Sequence, residues 1–173
     1  MQLKVRLCRI KLNWTEERDS KKIKTLKDIE LSRMTSEGRA SLLVVVKSVT
    51  ALLAGDDGAQ LALLADEIIL DYSGKFGYGT NTLKKADAIR FHKELRDRIE
   101  LVDYNLYTAY GDGNSVLILG DRTEKIKETG AVTFEKCIWI YTVADNLIEK
   151  IQYLCETHPA FSFFGNLIDR SSR

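Results

Sequence analysis

The sequence predicts an α+β domain in which helices cover one face of a curved, mainly antiparallel sheet. Three observations support this fold class. Apolar residues repeat with a helical period over residues 36–55, they repeat every second residue after position 100, and 173 residues is the usual size of one domain. The helices are expected to cover the sheet, because nothing else in such a chain can bury one of its faces.

Three helices are predicted, and the first is the clearest. It runs from Ser36 and stops at Gly55, a residue type that commonly ends helices. A shorter second helix is expected over residues 58–67, with Asp56 or Asp57 as its cap. The third covers residues 83–98, where apolar and charged residues mix in an amphipathic pattern.

The strands follow from runs of β-prone residues and from the turns that separate them. A first strand is predicted from Glu67 to Tyr72, and residues 73–82, which include three glycines, are expected to form an irregular loop. Turn sequences then divide the remainder into a four-stranded meander. Its predicted strands are residues 101–110, 115–122, 132–143 and 147–155.

Residues 1–34 are predicted to be a basic N-terminal extension. They contain ten Lys and Arg residues and five acids, whereas the rest of the chain carries a net charge of −4. Ile23, Leu26 and Ile29 recur at helical spacing. A basic arm can bind nucleic acid or acidic lipid, but the interspersed acids favour a solvated extension. A further hypothesis is that translation naturally starts at Met34, just before the first helix.

The composition favours a cytoplasmic protein. The formal net charge of +1 gives no overall field that attracts nucleic acid or an anionic membrane. Cys8, Cys137 and Cys155 form no CxxC pair, which suits a reducing compartment. No apolar run is long enough for a membrane span or a signal peptide. We therefore expect no membrane partner and do not expect nucleic acid as a partner.

The order of the elements resembles the SnoaL-like branch of the NTF2-like superfamily, which includes polyketide cyclases, steroid isomerases and dehydratases. The strings that carry the resemblance are AGDDGAQLALLADEIILDYSG, YGDGNSVLILG and YTVADNLIEKI, and DYSGKFGYGTNTL is similar to the DY-[ST]-x-x-FG loop of one subgroup. The resemblance implies a cone-shaped domain over residues 35–158, with three N-terminal helices packed on the sheet. Residues 159–173 would form a C-terminal tail.

The resemblance also implies a pocket for a hydrophobic small molecule between the sheet and the helices. Two functions remain open: a cofactor-independent isomerase, cyclase or dehydratase, and a non-catalytic ligand-binding or dimeric assembly module. The catalytic residues of both better-known subgroups are missing. Tyr72 stands where the isomerases have their base, and Val49, Ala54 and Tyr104 stand at the dehydratase positions.

Two carboxylates are the candidate catalytic groups. Glu135 is expected to face the pocket, where burial would raise its pKa. Asp71 becomes a candidate if its strand is shifted by one residue, because such a shift exchanges the two faces. In the plainer alternatives, Glu135 lies on an exposed face and Asp71 points outward. The predicted pocket-lining residues are Tyr72, His92, Tyr104, Cys137, Trp139, Ile151 and Tyr153.

No cofactor and no metal are expected. Cys155 and His158 make one C-x-x-H pair, whereas a structural zinc needs four ligands. We expect a homodimer, since family members commonly pair through the outer face of the sheet. Phe134, Ile138 and Ile140 lie on the strand face opposite to Trp139 and would supply an apolar patch for it.

Overall fold

The computed structural model describes residues 23–24, 34–72 and 79–156. Within them the chain forms seven strands and three helices. In chain order these are β1 (Ile23–Lys24), α1 (Ser36–Ala54), α2 (Asp57–Leu61), β2 (Leu64–Tyr72), β3 (Gly79–Lys84), α3 (Lys85–Arg98), β4 (Ile99–Asp112), β5 (Ser115–Ile126), β6 (Val132–Ala144) and β7 (Leu147–Cys155). None of the helices in this part of the chain combines the length and apolarity that a membrane crossing requires.

All seven strands belong to one mixed sheet in the order β1-β4-β5-β6-β7-β2-β3. The predicted meander is present, because β4 to β7 pair in sequence and antiparallel. Parallel pairing of β2 with β7 then brings the first hairpin beside the last strand. Two register shifts in β4, near Val102 and Tyr107, interrupt its pairing with β5, and such bulges bend a strand.

Helix α1 packs on the meander and begins and ends much as the sequence predicts. The Thr35 side chain accepts a hydrogen bond from the Gly38 amide at 3.0 Å, which caps the first turn. Gly55 adopts a φ of 70° and ends the helix. The buried side of α1 covers the inward residues of the sheet, and the two surfaces together form the main core.

Two predicted boundaries in the first half are wrong. Helix α2 ends at Leu61 rather than near residue 67, because the Leu63 carbonyl accepts a hydrogen bond from the Ile148 amide and the chain enters the sheet at Leu64. Residues 79–82 belong to β3 rather than to an irregular loop, because they pair with β2. Residues 73–78 of that predicted loop lie outside the described residues.

The described parts of residues 1–34 differ from the helical spacing noted there. Ile23 and Lys24 form β1, which pairs in parallel with Tyr104 and Asn105. Leu26 and Ile29 lie outside the described residues. Met34 is buried against the main core. The division into an extension, a domain and a tail stays a prediction.

The outer face of the sheet has its own small apolar cluster. Leu119, Ile138 and Leu154 are buried there, and Ile140 packs partly buried against them. Of the three residues predicted to form a dimer patch, only Phe134 is largely exposed, at 59%. Ile138 is fully buried, so its side chain cannot contact a second copy.

The closest backbone approach between α1 and the sheet depends on two glycines. A Cβ atom on Gly38 would lie 2.3 Å from the Gly111 carbonyl oxygen, and one on Gly111 would lie 2.3 Å from the Gly38 carbonyl oxygen. Because both obstacles are backbone atoms, neither can rotate away. This contact fixes the distance between the first turn of α1 and the end of β4.

We expect Gly38→Ala to lower the free energy of unfolding by about 1–3 kcal/mol, the usual cost of overpacking. Gly58→Ala in α2 is the matched control, because a Cβ there meets only Asp56 Oδ1 at 3.6 Å. The control should leave stability unchanged or raise it by about 0.5 kcal/mol. Urea unfolding of both variants tests this, and equal effects would contradict it.

Candidate functional site

A cavity of about 330 Å³ lies between the concave face of the sheet and the helices α1 and α3. Val49, Leu52 and Leu53 of α1 contribute an apolar wall. Aromatic and charged side chains of the strands contribute to the remaining lining. The volume and the mixture of apolar walls with a few polar groups are typical of sites for small molecules.

Five of the residues expected in a pocket line this cavity: Tyr72, His92, Tyr104, Trp139 and Ile151. Tyr104 and Trp139 meet edge to face, with ring centroids 5.2 Å apart. Cys137 and Tyr153 are fully buried on the same side of the sheet but are not among the lining residues. The Tyr153 ring packs against Tyr72 and Trp139, with centroids 5.8 Å from each.

Asp71 does not line the cavity. Since Tyr72 does, its neighbour in the strand faces the opposite side of the sheet, and the one-residue shift that would bring Asp71 inward is not present. Gln152 Nε2 donates a hydrogen bond to Asp71 Oδ2 at 3.1 Å from the paired position on β7. The carboxylate is thus held between two strands, away from the cavity.

Glu135 also stands outside the cavity lining, although it contacts inward groups. The Tyr153 hydroxyl donates a hydrogen bond to Glu135 Oε2 at 2.6 Å, and Arg122 Nε lies 3.6 Å from the same oxygen. Glu135 therefore acts as a partner for two buried groups rather than as a group that lines the cavity.

Two carboxylates line the cavity, Glu100 and Glu124. Glu124 is the buried one, and the sequence analysis missed it together with Arg122. The two side chains are 8% and 15% exposed, and Arg122 Nε lies 3.1 Å from Glu124 Oε1. This contact is an ion pair rather than an aligned hydrogen bond, since Nε forms no hydrogen bond in the structure. The Arg122 guanidinium also lies 4.3 Å from the centre of the Tyr153 ring.

The pair was missed because the third predicted strand stopped at Arg122, at the edge of the charged string DRTEK. A signal was nevertheless present in the spacing. Arg122 and Glu124 continue the alternation of Val116 and Ile118, so a strand extended to Ile126 turns both charged side chains inward.

The electrostatics of the site stabilise Arg122 in its charged form. Burial lowers its pKa, but the surrounding groups, chiefly Tyr153, then Glu124, Cys137 and Glu135, raise it further, and the net shift is upward. A cation is therefore permanently present beside the cavity. Its charge is balanced by Glu124 on one side and Glu135 on the other.

Three tyrosine hydroxyls belong to the cavity lining, and burial keeps each of them protonated. Burial is the main cause that raises the pKa of Tyr72 to about 12. The pKa values of Tyr104 and Tyr141 are also raised well above the ordinary value of 10, again chiefly by burial. At neutral pH the cavity therefore offers neutral hydrogen-bond donors to a ligand oxygen.

His92 is buried rather than half-exposed on its helix. It is 3% exposed, because α2 covers it. Gln60 Nε2 lies 3.1 Å from His92 Nδ1, and Tyr72 Oη lies 3.4 Å from His92 Nε2. Burial, followed by the positive charge of Arg96, lowers the pKa of His92 to about 4. The ring is neutral at physiological pH.

The proton positions follow from these contacts. An amide nitrogen can only donate, so in this orientation of the Gln60 amide His92 Nδ1 accepts and the single ring proton is assigned to Nε2. Nε2 then donates towards Tyr72 Oη, which leaves the Tyr72 proton available to the cavity. Among the described residues, no three His, Cys, Asp or Glu side chains are grouped closely enough to hold a metal ion.

Comparison with solved structures identifies the fold. An NTF2-like protein from Burkholderia xenovorans LB400 is 17% identical with a TM-score of 0.63, over 80% of this chain and 100% of that chain. A candidate polyketide cyclase from Xanthomonas campestris pv. campestris is 21% identical with a TM-score of 0.55, over 68% of this chain and 91% of that chain. An LEH-like epoxide hydrolase from M. tuberculosis is 14% identical with a TM-score of 0.58, over 79% of this chain and 99% of that chain.

The chain therefore has the NTF2-like fold, and the resemblance noted in its sequence is confirmed at the level of the fold. No family model matches the chain. The similar structures define a fold that different proteins use for different purposes, so the function has to be argued from the cavity itself.

The depressed pKa of His92 predicts a pH-dependent stability. Between pH 6.5 and 4 the unfolded chain binds a proton at this ring that the folded protein does not bind, so stability falls as the pH decreases through this window. The expected loss is about 1.4 kcal/mol per pH unit. Urea unfolding at several pH values should show that the free energy of unfolding depends less steeply on pH in His92→Leu than in the wild type. A His92 ring that titrates near 6.5 by NMR would contradict this.

Proposed function

We propose that the protein is a cofactor-independent enzyme of the isomerase, cyclase or dehydratase type that acts on a small, mostly apolar molecule. The observation that carries the proposal is Glu124, a buried carboxylate that lines the cavity together with the aromatic residues. The cavity holds the two kinds of group that such chemistry needs, a base and donors to a developing oxyanion.

Glu124 is the group suited to accept a proton from carbon. Arg122 binds Oε1 and thereby orients the carboxylate. Arg122 also offsets the free-energy cost of burying the negative charge, since an unpaired carboxylate in this interior would be strongly destabilising. A base held in this way needs no reorganisation before it meets a substrate.

The tyrosines are suited to stabilise the negative charge that this proton transfer creates. Tyr104 and Tyr141 line the same cavity as Glu124 and remain protonated well above neutral pH. Tyr72 joins them, with its proton directed away from His92. Neutral hydroxyls donate hydrogen bonds to an enolate oxygen without giving up their protons, which is the requirement for an oxyanion site.

The proposed step is removal of a proton from the carbon next to a substrate carbonyl. The electron pair of the broken C–H bond becomes the enolate, and Glu124 holds the proton as a carboxylic acid. Return of that proton to another carbon completes an isomerisation. Attack of the carbanion on a second carbonyl of the same molecule, whose oxygen takes the proton from Glu124, completes a cyclisation, and loss of a β-hydroxyl with that proton completes a dehydration.

The similar structures support this class without defining the reaction. One is a candidate polyketide cyclase and another an LEH-like epoxide hydrolase. Asp71 and Glu135, the carboxylates expected from the sequence, have less support than Glu124, because neither lines the cavity.

The proposal predicts catalysed exchange of carbon-bound hydrogen. In D2O the protein should accelerate deuterium uptake next to the carbonyl of ketones that fit the cavity, such as 2-tetralone and cyclohex-2-enone. We expect Glu124→Gln to reduce the rate by about 100-fold or more, because it removes the base and keeps the shape. Mass spectrometry of the ketone measures the uptake.

Glu149→Gln, on an exposed position of β7, is the matched control and should not change the exchange rate. Asp71→Asn tests the sequence-based candidate in the same assay. Exchange that survives Glu124→Gln but disappears in Asp71→Asn would overturn the assignment of the base. A retained small molecule, found by native mass spectrometry of the full chain, combined with no exchange would favour a binding module.

We also propose that two copies associate through the outer face of the sheet. Support comes from Val132 and Phe134, which leave apolar surface exposed on β6 beside the cluster of Leu119, Ile138 and Leu154. We expect Phe134→Ser to shift a dimer towards monomer in sedimentation experiments at micromolar concentration. Leu43→Ser on α1, which is 51% exposed, is the control. A wild-type protein that sediments as a monomer would refute the proposal.

A further inference from the structure

A polar corner of the cavity, formed where α2 meets α3, is not used by the proposed chemistry. Two contacts join the helices there: Asp57 Oδ1 with Arg96 Nη2, and Gln60 with His92. Asp57 and Gln60 are three residues apart on α2, and His92 and Arg96 are four apart on α3. Each pair therefore lies on one side of its helix, and the two contacts are neighbours.

Each contact leaves one polar atom that no other described residue satisfies. These atoms are Gln60 Oε1 and Arg96 Nη1, both buried. Both residues line the cavity, and Gln60 is 1% exposed. A buried amide oxygen without a partner is destabilising, so binding favours a ligand group that donates a hydrogen bond to it. The corner therefore holds one acceptor and one donor that its own side chains leave unsatisfied.

The charges around the cavity argue against an anionic ligand. Arg96, Arg122 and Lys127 line it, but so do Glu100 and Glu124. The two arginines are further neutralised by Asp57 and Glu135, which lie in direct contact with them. No excess of positive charge remains to compensate the desolvation of a carboxylate or phosphate.

We propose that this corner binds the neutral polar head of an amphipathic ligand, and that the head is a carboxamide. Its N–H donates to Gln60 Oε1 and its carbonyl oxygen accepts from Arg96 Nη1, while the apolar part extends along the α1 wall. The inference rests on the proposed function, since it names the chemical class of molecule that the same cavity takes.

Binding at the corner also positions the Tyr72 hydroxyl. With Oε1 engaged by the ligand, Gln60 keeps Nε2 on His92 Nδ1, and His92 keeps its proton on Nε2 facing Tyr72. A carboxylate would instead favour a reversed Gln60 amide, which requires the other His92 tautomer, so that His92 Nε2 accepts a hydrogen bond from the Tyr72 hydroxyl. Gln60 and His92 are thus positioning residues that act through Tyr72.

Three probes with the same apolar chain test the head group: hexanamide, methyl hexanoate and hexanoate. Affinities are measured on the full chain by NMR titration. We expect hexanamide to bind at least about fivefold more tightly than methyl hexanoate, which has no N–H to donate, and more tightly than hexanoate. Gln60→Met should abolish the preference, and Arg98→Gln, on an exposed arginine outside the lining, should retain it.

The quantity compared is the ratio of the affinities of the three probes. A general loss of stability in Gln60→Met would weaken the binding of all three probes and would not change this ratio. Nitrogen-15 shifts of His92 give a second measurement, and we expect the Nε2–H tautomer both free and with hexanamide. Equal affinities, a preference for hexanoate, an unchanged ratio in Gln60→Met, or no binding of any probe would overturn the proposal.

These outcomes are separable from the failure of the proposed enzyme function. Glu124-dependent deuterium exchange without a carboxamide preference would leave the catalytic proposal standing and remove this one. A carboxamide preference without exchange would leave a ligand-binding corner in a protein that does not catalyse proton transfer.

Discussion

The buried guanidinium of Arg122 is the constraint on which the interior of the cone depends. A charge removed from water is tolerated only when opposite charges and hydrogen-bond partners surround it. Glu124, Glu135 and the face of the Tyr153 ring fulfil this need from three sides. Because these groups come from β5, β6 and β7, one cation ties together the strands that form the concave wall.

This arrangement gives the two carboxylates different positions although they share one cation. Glu135 accepts a hydrogen bond from the Tyr153 hydroxyl and is not among the residues that line the cavity, whereas Glu124 is. The interior is therefore more polar than stability alone would favour, and the polar groups are concentrated around a cavity. Such a local departure from an apolar core is what a functional site imposes on a fold.

The parts of the fold that local sequence determines were predictable. Helix α1 has a helical repeat between a capping threonine and a terminating glycine, and the tight turn at Asp145 and Asn146 uses residues that tolerate positive φ. The alternation of inward and outward residues along β6 was sufficient to predict that Trp139 faces inward. Strand β3 was not predictable, since Gly and Asn are depleted in strands and interrupt the two β-prone threonines, and pairing with β2 makes the segment a strand.

The site was predictable only in part, because it depends on contacts between distant segments. Tyr72, Tyr104 and Trp139 were predicted because they are aromatic and because alternation along their strands places them on the inward face. Glu124 was not, since a charged string after an apolar strand is typical of a turn, and only Arg122 makes an inward carboxylate tolerable. The partnership of Gln60 with His92 joins two helices across 32 residues, and no local pattern indicates it.

The parallel pairing of β2 with β7 has a consequence for how the chain reaches this structure. Within the described residues, the hairpin of β2 and β3 joins the sheet through the last strand, since β2 lies between β3 and β7. Tyr72 therefore cannot take its place in the cavity until residues 147–155 have been synthesised and paired. Closing a contact between segments so far apart in sequence is slow, so the cavity is completed at the end of folding, after the meander that forms its opposite wall.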